Sequence, residues 1–167
     1  MRSTFVKLGL STAAAVILMS SSAYAQTTAT AGLNVTVTVA ARARLTLGAP
    51  SLTFADQDPA TVPTLTAAAL TVDVAARTAP ASNITLTVLA SQNLTSGSNT
   101  IPVSTLSWTA SGAGFAAGAS STATAQSVGA WTGPGARSGT QTYSLPNSWT
   151  YAVGTYTTTL NYTLTAP

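Results

Sequence analysis

Residues 33–39 read LNVTVTV, which puts Leu33, Val35, Val37 and Val39 on one side of an extended chain. Asn34, Thr36 and Thr38 fall on the other side, and the β-branched residues on both faces favour strand backbone. The same period of two recurs at 70–74 (LTVDV) and 84–88 (ITLTV). It is longest at 155–164, where Tyr156, Thr158, Leu160, Tyr162 and Leu164 alternate with Thr and Asn. Shorter runs predict strands over 44–47, 51–54, 101–108, 121–128 and 141–145. Turn chemistry separates them. Gly48 and Pro50 break the first pair, and Pro59 drives Asp58 away from helical backbone in the turn at 56–59. Further turns are expected at 78–82, 96–99 and 146–147, and glycine-rich loops at 111–118 and 129–139. No helical spacing is sustained beyond the first 25 residues. Many short alternating runs with turn signals between them predict an all-β protein, an antiparallel β-sandwich.

The first 25 residues change the size of the problem. Arg2 and Lys7 precede an apolar run over 8–19, and Ala23-Tyr24-Ala25 has the form of a cleavage site, so 1–25 reads as a secretory signal peptide. The apolar run is well short of the ~20 residues a membrane-spanning helix needs. Cleavage leaves about 142 residues, one domain by size. The expected organisation is a leader at 1–25, an N-terminal extension at 26–39 and a single β-sandwich domain at 40–167. The expected location is outside the cytoplasm: periplasm in transit, then cell surface or extracellular space.

Composition then narrows the chemistry. Beyond residue 25 there is no His, Cys, Glu, Lys or Met, and apart from tyrosines the ionisable side chains are Asp56, Asp58, Asp73, Arg42, Arg44, Arg77 and Arg137. A serine or threonine nucleophile therefore has no His or Lys to activate it. Asp56 and Asp58 form a D-x-D pair, but calcium wants six to eight oxygen ligands and Asp73 is the one remaining carboxylate. No catalytic residue, metal site or cofactor is expected, and the chain is not expected to be an enzyme. A basic nucleic-acid footprint needs clustered Lys and Arg, and only Arg42 and Arg44 lie close in sequence, so no nucleic-acid partner is expected. Insertion into a membrane as a barrel is not expected either, because most runs are shorter than the ~9–11 residues of a spanning strand. Trp131, flanked by Gly129, Gly133 and Gly135, is the candidate for stacking against a ligand such as a sugar ring.

Residues 45–58 read LTLGAPSLTFADQD, and residues 154–167 read GTYTTTLNYTLTAP, a Gly-x-Tyr opening a final alternating strand. Behind a leader and a Thr-rich alternating run, this arrangement resembles the secreted spore-coat-U-like family, the subunits of archaic chaperone–usher pili. The likeness extends loosely over residues 26–167. It implies an incomplete immunoglobulin-like sandwich whose groove is filled by the N-terminal extension of a neighbouring subunit. The physical basis is β-strand addition, in which main-chain bonds supply affinity and alternate side chains fill pockets. The donor would be residues 27–39, with Leu33, Val35, Val37 and Val39 inserted. Implied partners are identical or related subunits, a periplasmic chaperone and an usher. The resemblance implies a structural subunit of a surface fibre, pilus or extracellular coat; the alternative is a secreted adhesin or carbohydrate-binding module using Trp131. One departure stands out: family members usually carry a disulfide, and this chain has no Cys. A second reading of 33–39 also stays open, as the first strand of the chain's own sheet, because alternation does not say whose sheet receives it.

Overall fold

Alternation in sequence becomes alternation in burial. Leu70, Val72, Val74 and Ala76 are buried while Thr71 and Arg77 face out, and Ile84, Leu86, Val88 and Ala90 repeat the pattern. The computed structural model describes residues 27–167, so the leader expected at 1–25 lies outside the described residues. In chain order the strands are β1 (Arg42–Leu47), β2 (Thr64–Thr66), β3 (Leu70–Arg77), β4 (Asn83–Ala90), β5 (Leu94–Ser96) and β6 (Asn99–Ile101). A 3-10 turn (Val103–Thr105) leads to β7 (Ser107–Ser111), β8 (Gly118–Ala119), β9 (Gln126–Thr132), β10 (Gly135–Pro146) and β11 (Leu160–Thr165).

Every ladder is antiparallel. One sheet runs β1-β3-β10-β7-β8, with β2 also paired to β10; the second runs β11-β4-β9; β5 and β6 form a small hairpin. The core draws on both larger sheets: Val72, Leu86, Val88, Val128 and Tyr143 are each at most 1% exposed, and Trp108 packs on Tyr143 with ring centroids 5.7 Å apart. The protein is all-β and sandwich-like, and the sheets are open rather than closed into a ring. Residues Thr38–Pro167 form one compact unit.

Several sequence expectations need correction. The loop expected over 129–139 is strand except for a tight turn at Gly133-Pro134, where Gly133 has φ +74°. Glycine is tolerated in these strands because it lets rings lie on the backbone: a Cβ at Gly129 would strike the Trp131 ring, and one at Gly139 the Phe115 ring. The run at 101–108 is interrupted, since Pro102 introduces the 3-10 turn before β7 begins. Residues 51–54 keep their alternating burial, with Leu52 and Phe54 half-buried, but form no ladder. In the long run at 155–164 only the part from Leu160 onward is ladder, preceded by an isolated Thr95–Thr157 bridge. Among the described residues, 33–39 carry no ladder pairing, so the reading of this segment as the chain's own first strand has no ladder behind it.

Candidate strand-binding groove

The two sheets end differently on their two sides. Beside β9, the segment 114–116 supplies cover: Ala116 N–H donates to Val128 O at 2.8 Å, and Ala130 N–H donates to Gly114 O at 3.0 Å. On the opposite side β1 and β11 are the terminal strands of their sheets. An uncovered strand edge is a template for another strand, and proteins usually guard it with Lys, Pro or a bulge. β11 has none of these: its sequence is LNYTLT, in unbroken register with β4 from Leu160 to Thr165.

Between these edges lies a groove of about 380 Å³. One wall comes from β1 and its continuation, through Leu47, Ala49, Leu52 and Phe54. The other comes from the C-terminal run, through Tyr156, Thr158, Leu160 and Tyr162. Core residues Leu70, Leu94, Leu106 and Tyr143 close it from within. It is therefore an opening onto the core, walled by half-buried apolar side chains.

A hydrogen-bonded relay pins β11 to the core beside this groove. Tyr143 O–H donates to Tyr162 Oη at 2.6 Å, and Tyr162 O–H donates to Gln141 Oε1 at 2.5 Å. Burial pushes both phenols above the ordinary value of 10.0, because an ionised phenolate would lose its water. Their folded-state pKa values are raised, so the stability they contribute is fully present below pH 10 and is lost as pH rises beyond it. The urea midpoint should fall between pH 9 and pH 11.5, and fall less in Tyr143→Phe. An unchanged midpoint over that interval would contradict the buried relay.

Comparison with protein-family models finds no match. Nor does any curated protein match the chain significantly.

The expected inserting residues Leu33, Val35, Val37 and Val39 are 68% to 87% exposed, and every residue from 27 to 40 is exposed without ladder bonds. An extended run of large apolar side chains left in water is unusual for a soluble monomer and marks an interaction segment. Its length is comparable to that of β11. Four alternate residues span about 20 Å of strand, and β11 spans about 17 Å.

Trp131 has a different place from the one its neighbours suggested. Its indole N–H donates to Ala113 O at 2.8 Å, and its ring meets Phe115 edge-on with centroids 4.9 Å apart. The flanking glycines do not free the ring; Gly114 and Gly129 provide the flat floor it rests on. The cause is a bulge, since Leu86 faces Gly129 but Thr87 faces Ser127, leaving Val128 unpaired. That extra residue brings Val128 and Gly129 both inward and turns Trp131 toward the Phe115 side. The exposed tryptophan is Trp149, at 74%. Trp131→Ala should therefore cost about 2–3 kcal/mol of stability, below the range for fully buried aromatic deletions. A thermal melt matching that of the parent protein would show that Trp131 does not serve as packing.

Proposed function

We propose that this protein is a secreted structural subunit that assembles by strand addition, the arm at 27–39 of one copy filling the β1/β11 groove of the next. One observation carries the reading: an exposed alternating apolar arm, without ladder pairing among the described residues, and an apolar groove beside the unguarded edge of β11 occur in the same chain. Each lacks what the other has. Inserted beside β11, the arm would extend the second sheet by main-chain bonds and cover the half-buried groove walls. Donor and acceptor surfaces differ, so the contact is heterologous and, where rotation does not close a ring, grows into a filament. The inert side-chain inventory suits this role, because nothing in it requires chemistry.

Membership of the spore-coat-U-like pilus family, the immunoglobulin-like description of the sandwich, and a periplasmic chaperone and usher as partners belong to the same proposal. The carbohydrate-binding alternative draws no support from Trp131, whose ring is engaged by Phe115 and Gly129. Size-exclusion chromatography and electron microscopy of the full mature chain test the proposal. The expected result is a ladder of oligomers extending to thin filaments. A single monomer peak at high protein concentration, with no filaments, overturns it.

A further inference from the structure

The few charges of this protein are sorted by position. Arg42 opens β1 and stands opposite Arg77, the last residue of β3. Arg44 follows on β1, and Arg137 lies near the start of β10, opposite Val74 of β3. All four arginines beyond residue 25 thus sit toward one end of one sheet, where Arg44 and Arg137 line a shallow depression with Asp73. Among the described residues their one side-chain hydrogen bond to protein runs from Arg137 Nη1 to Ala136 O, at 3.3 Å.

The other two carboxylates occupy the opposite end. Asn147, just past the end of β10, donates from Nδ2 to Gln57 O at 2.9 Å and to Val62 O at 3.0 Å. These bonds fasten the turn that carries Asp56 and Asp58 to the far end of that strand. Asp58 Oδ1 accepts from Ala60 N–H at 2.8 Å, which orders the turn and leaves both carboxylates exposed. From Arg137 to Asn147 is about 33 Å along β10. The subunit has an arginine end and an aspartate end.

Chain direction links these ends to the groove. β1 starts at the arginine end, whereas β11 runs toward it, since Thr165 pairs with Thr85 and Leu160 with Ala90. An incoming arm that pairs antiparallel to β11, as every ladder in this fold does, travels from the arginine end to the aspartate end. It leaves the groove beyond Phe54, beside the turn that holds Asp56 and Asp58. Only Ala40 and Ala41 separate Val39 from Arg42, a reach of about 10 Å. The arginine end of the donor copy is delivered to the aspartate end of the acceptor. Insertion in the reverse direction would bring two arginine ends together.

We propose that the Asp56 and Asp58 turn of one copy docks on Arg42 and Arg44 of the copy whose arm fills its groove. This rests on the strand-addition reading and adds to it a second, polar contact with a second copy of this chain. Exposed charge pairs contribute little affinity singly, but complementary charged patches steer encounter, fix direction and lose their effect in salt. The two contacts have separable roles: the apolar arm holds the junction, and the charged clasp sets its rate and polarity.

The experiment uses the full mature chain in three forms: Asp56→Arg with Asp58→Arg, Arg42→Asp with Arg44→Asp, and all four substitutions together. Assembly is followed by light scattering at low and at molar salt. Each charge-reversed pair should assemble about tenfold more slowly than the parent at low salt, the scale of electrostatic steering. All forms should converge at molar salt. The fourfold swap restores opposite charges at every junction and should recover most of the parent rate. A capped synthetic peptide of residues 27–39, which contains no charged side chain, serves as control on the variant Val35→Asp with Val37→Asp, whose groove is free. Equal peptide binding with and without the Asp56/Asp58 reversal, together with unchanged assembly rates, overturns the clasp and spares strand addition. Slow assembly that the fourfold swap fails to rescue also overturns the clasp. Failure of the peptide to bind at all removes strand addition, and the clasp with it.

Discussion

Grafting residues 27–39 behind Pro167 through a short flexible linker should convert the protein into a monomer of raised thermal stability. β11 ends at Thr165, and a chain that turns back there runs antiparallel to it, the direction proposed for the arm. The graft should be made with the native arm removed, so that each groove has a single occupant. Two sets of apolar surface then leave water together. Leu33, Val35, Val37 and Val39 go in, and the half-buried walls at Leu47, Leu52, Phe54 and Leu160 are covered. Each fully buried aliphatic side chain contributes about 1.5–3 kcal/mol, against about 1–2 kcal/mol for each residue whose backbone is fixed. Main-chain bonds along β11 add to the favourable side. A net gain of about 2–4 kcal/mol raises the melting midpoint by about 5–15 °C in a domain of this size. Differential scanning calorimetry against the same domain with a scrambled graft gives the comparison. Equal midpoints would mean that the groove does not accept this sequence.

The second large effect concerns assembly itself. Val35→Asp combined with Val37→Asp should leave a monomer where the parent protein is expected to form a ladder. In the single chain these positions are 77% and 78% exposed, so the substitutions remove little packing and should shift stability by less than about 0.5 kcal/mol. In a junction they would place two unpaired carboxylates against Leu52, Phe54 and Leu160. Burying an unpartnered ionised group costs at least several kcal/mol, so two weaken each junction by more than about a thousandfold. Asn34→Ala with Thr36→Ala, on the other face of the arm, should assemble normally. Sedimentation velocity on the three proteins distinguishes the faces; ladders of equal extent in all three would show that the arm is not the connector.

These expectations draw on both sequence and fold, and the two were informative about different things. Alternation at 70–74, 84–88 and 141–145 located β3, β4 and β10, because those runs lie in the middle of sheets with one face on the core. The same pattern at 33–39, 51–54 and 155–159 marked which side chains turn to apolar surroundings but not whether a backbone partner exists. Periodicity reports side-chain direction, whereas a ladder needs a neighbour. The three weakly paired runs all border the open side of the molecule or form the arm proposed to fill it. Strand glycines were the other blind spot. Gly129 and Gly139 look like loop residues until Trp131 and Phe115 are seen lying on them. The bulge at Val128 leaves no sequence signal, yet it decides which way Trp131 points. Nor does the sequence show that Arg77 and Arg137, 60 positions apart, join Arg42 and Arg44 at one end; strand register does that.

Strand exchange between copies can be read from isotope-mixed photo-cross-linking from the arm. The chain has no Cys, so Val37→Cys gives one attachment point for a benzophenone probe. Equal amounts of light and heavy-nitrogen protein are unfolded, mixed, refolded together and irradiated. Strand exchange should give cross-links from position 37 to peptides containing residues 47–54 or 156–162, with light–heavy pairs present alongside pairs of one isotope. Cross-links confined to a single chain, or directed to surfaces away from the groove, would contradict it.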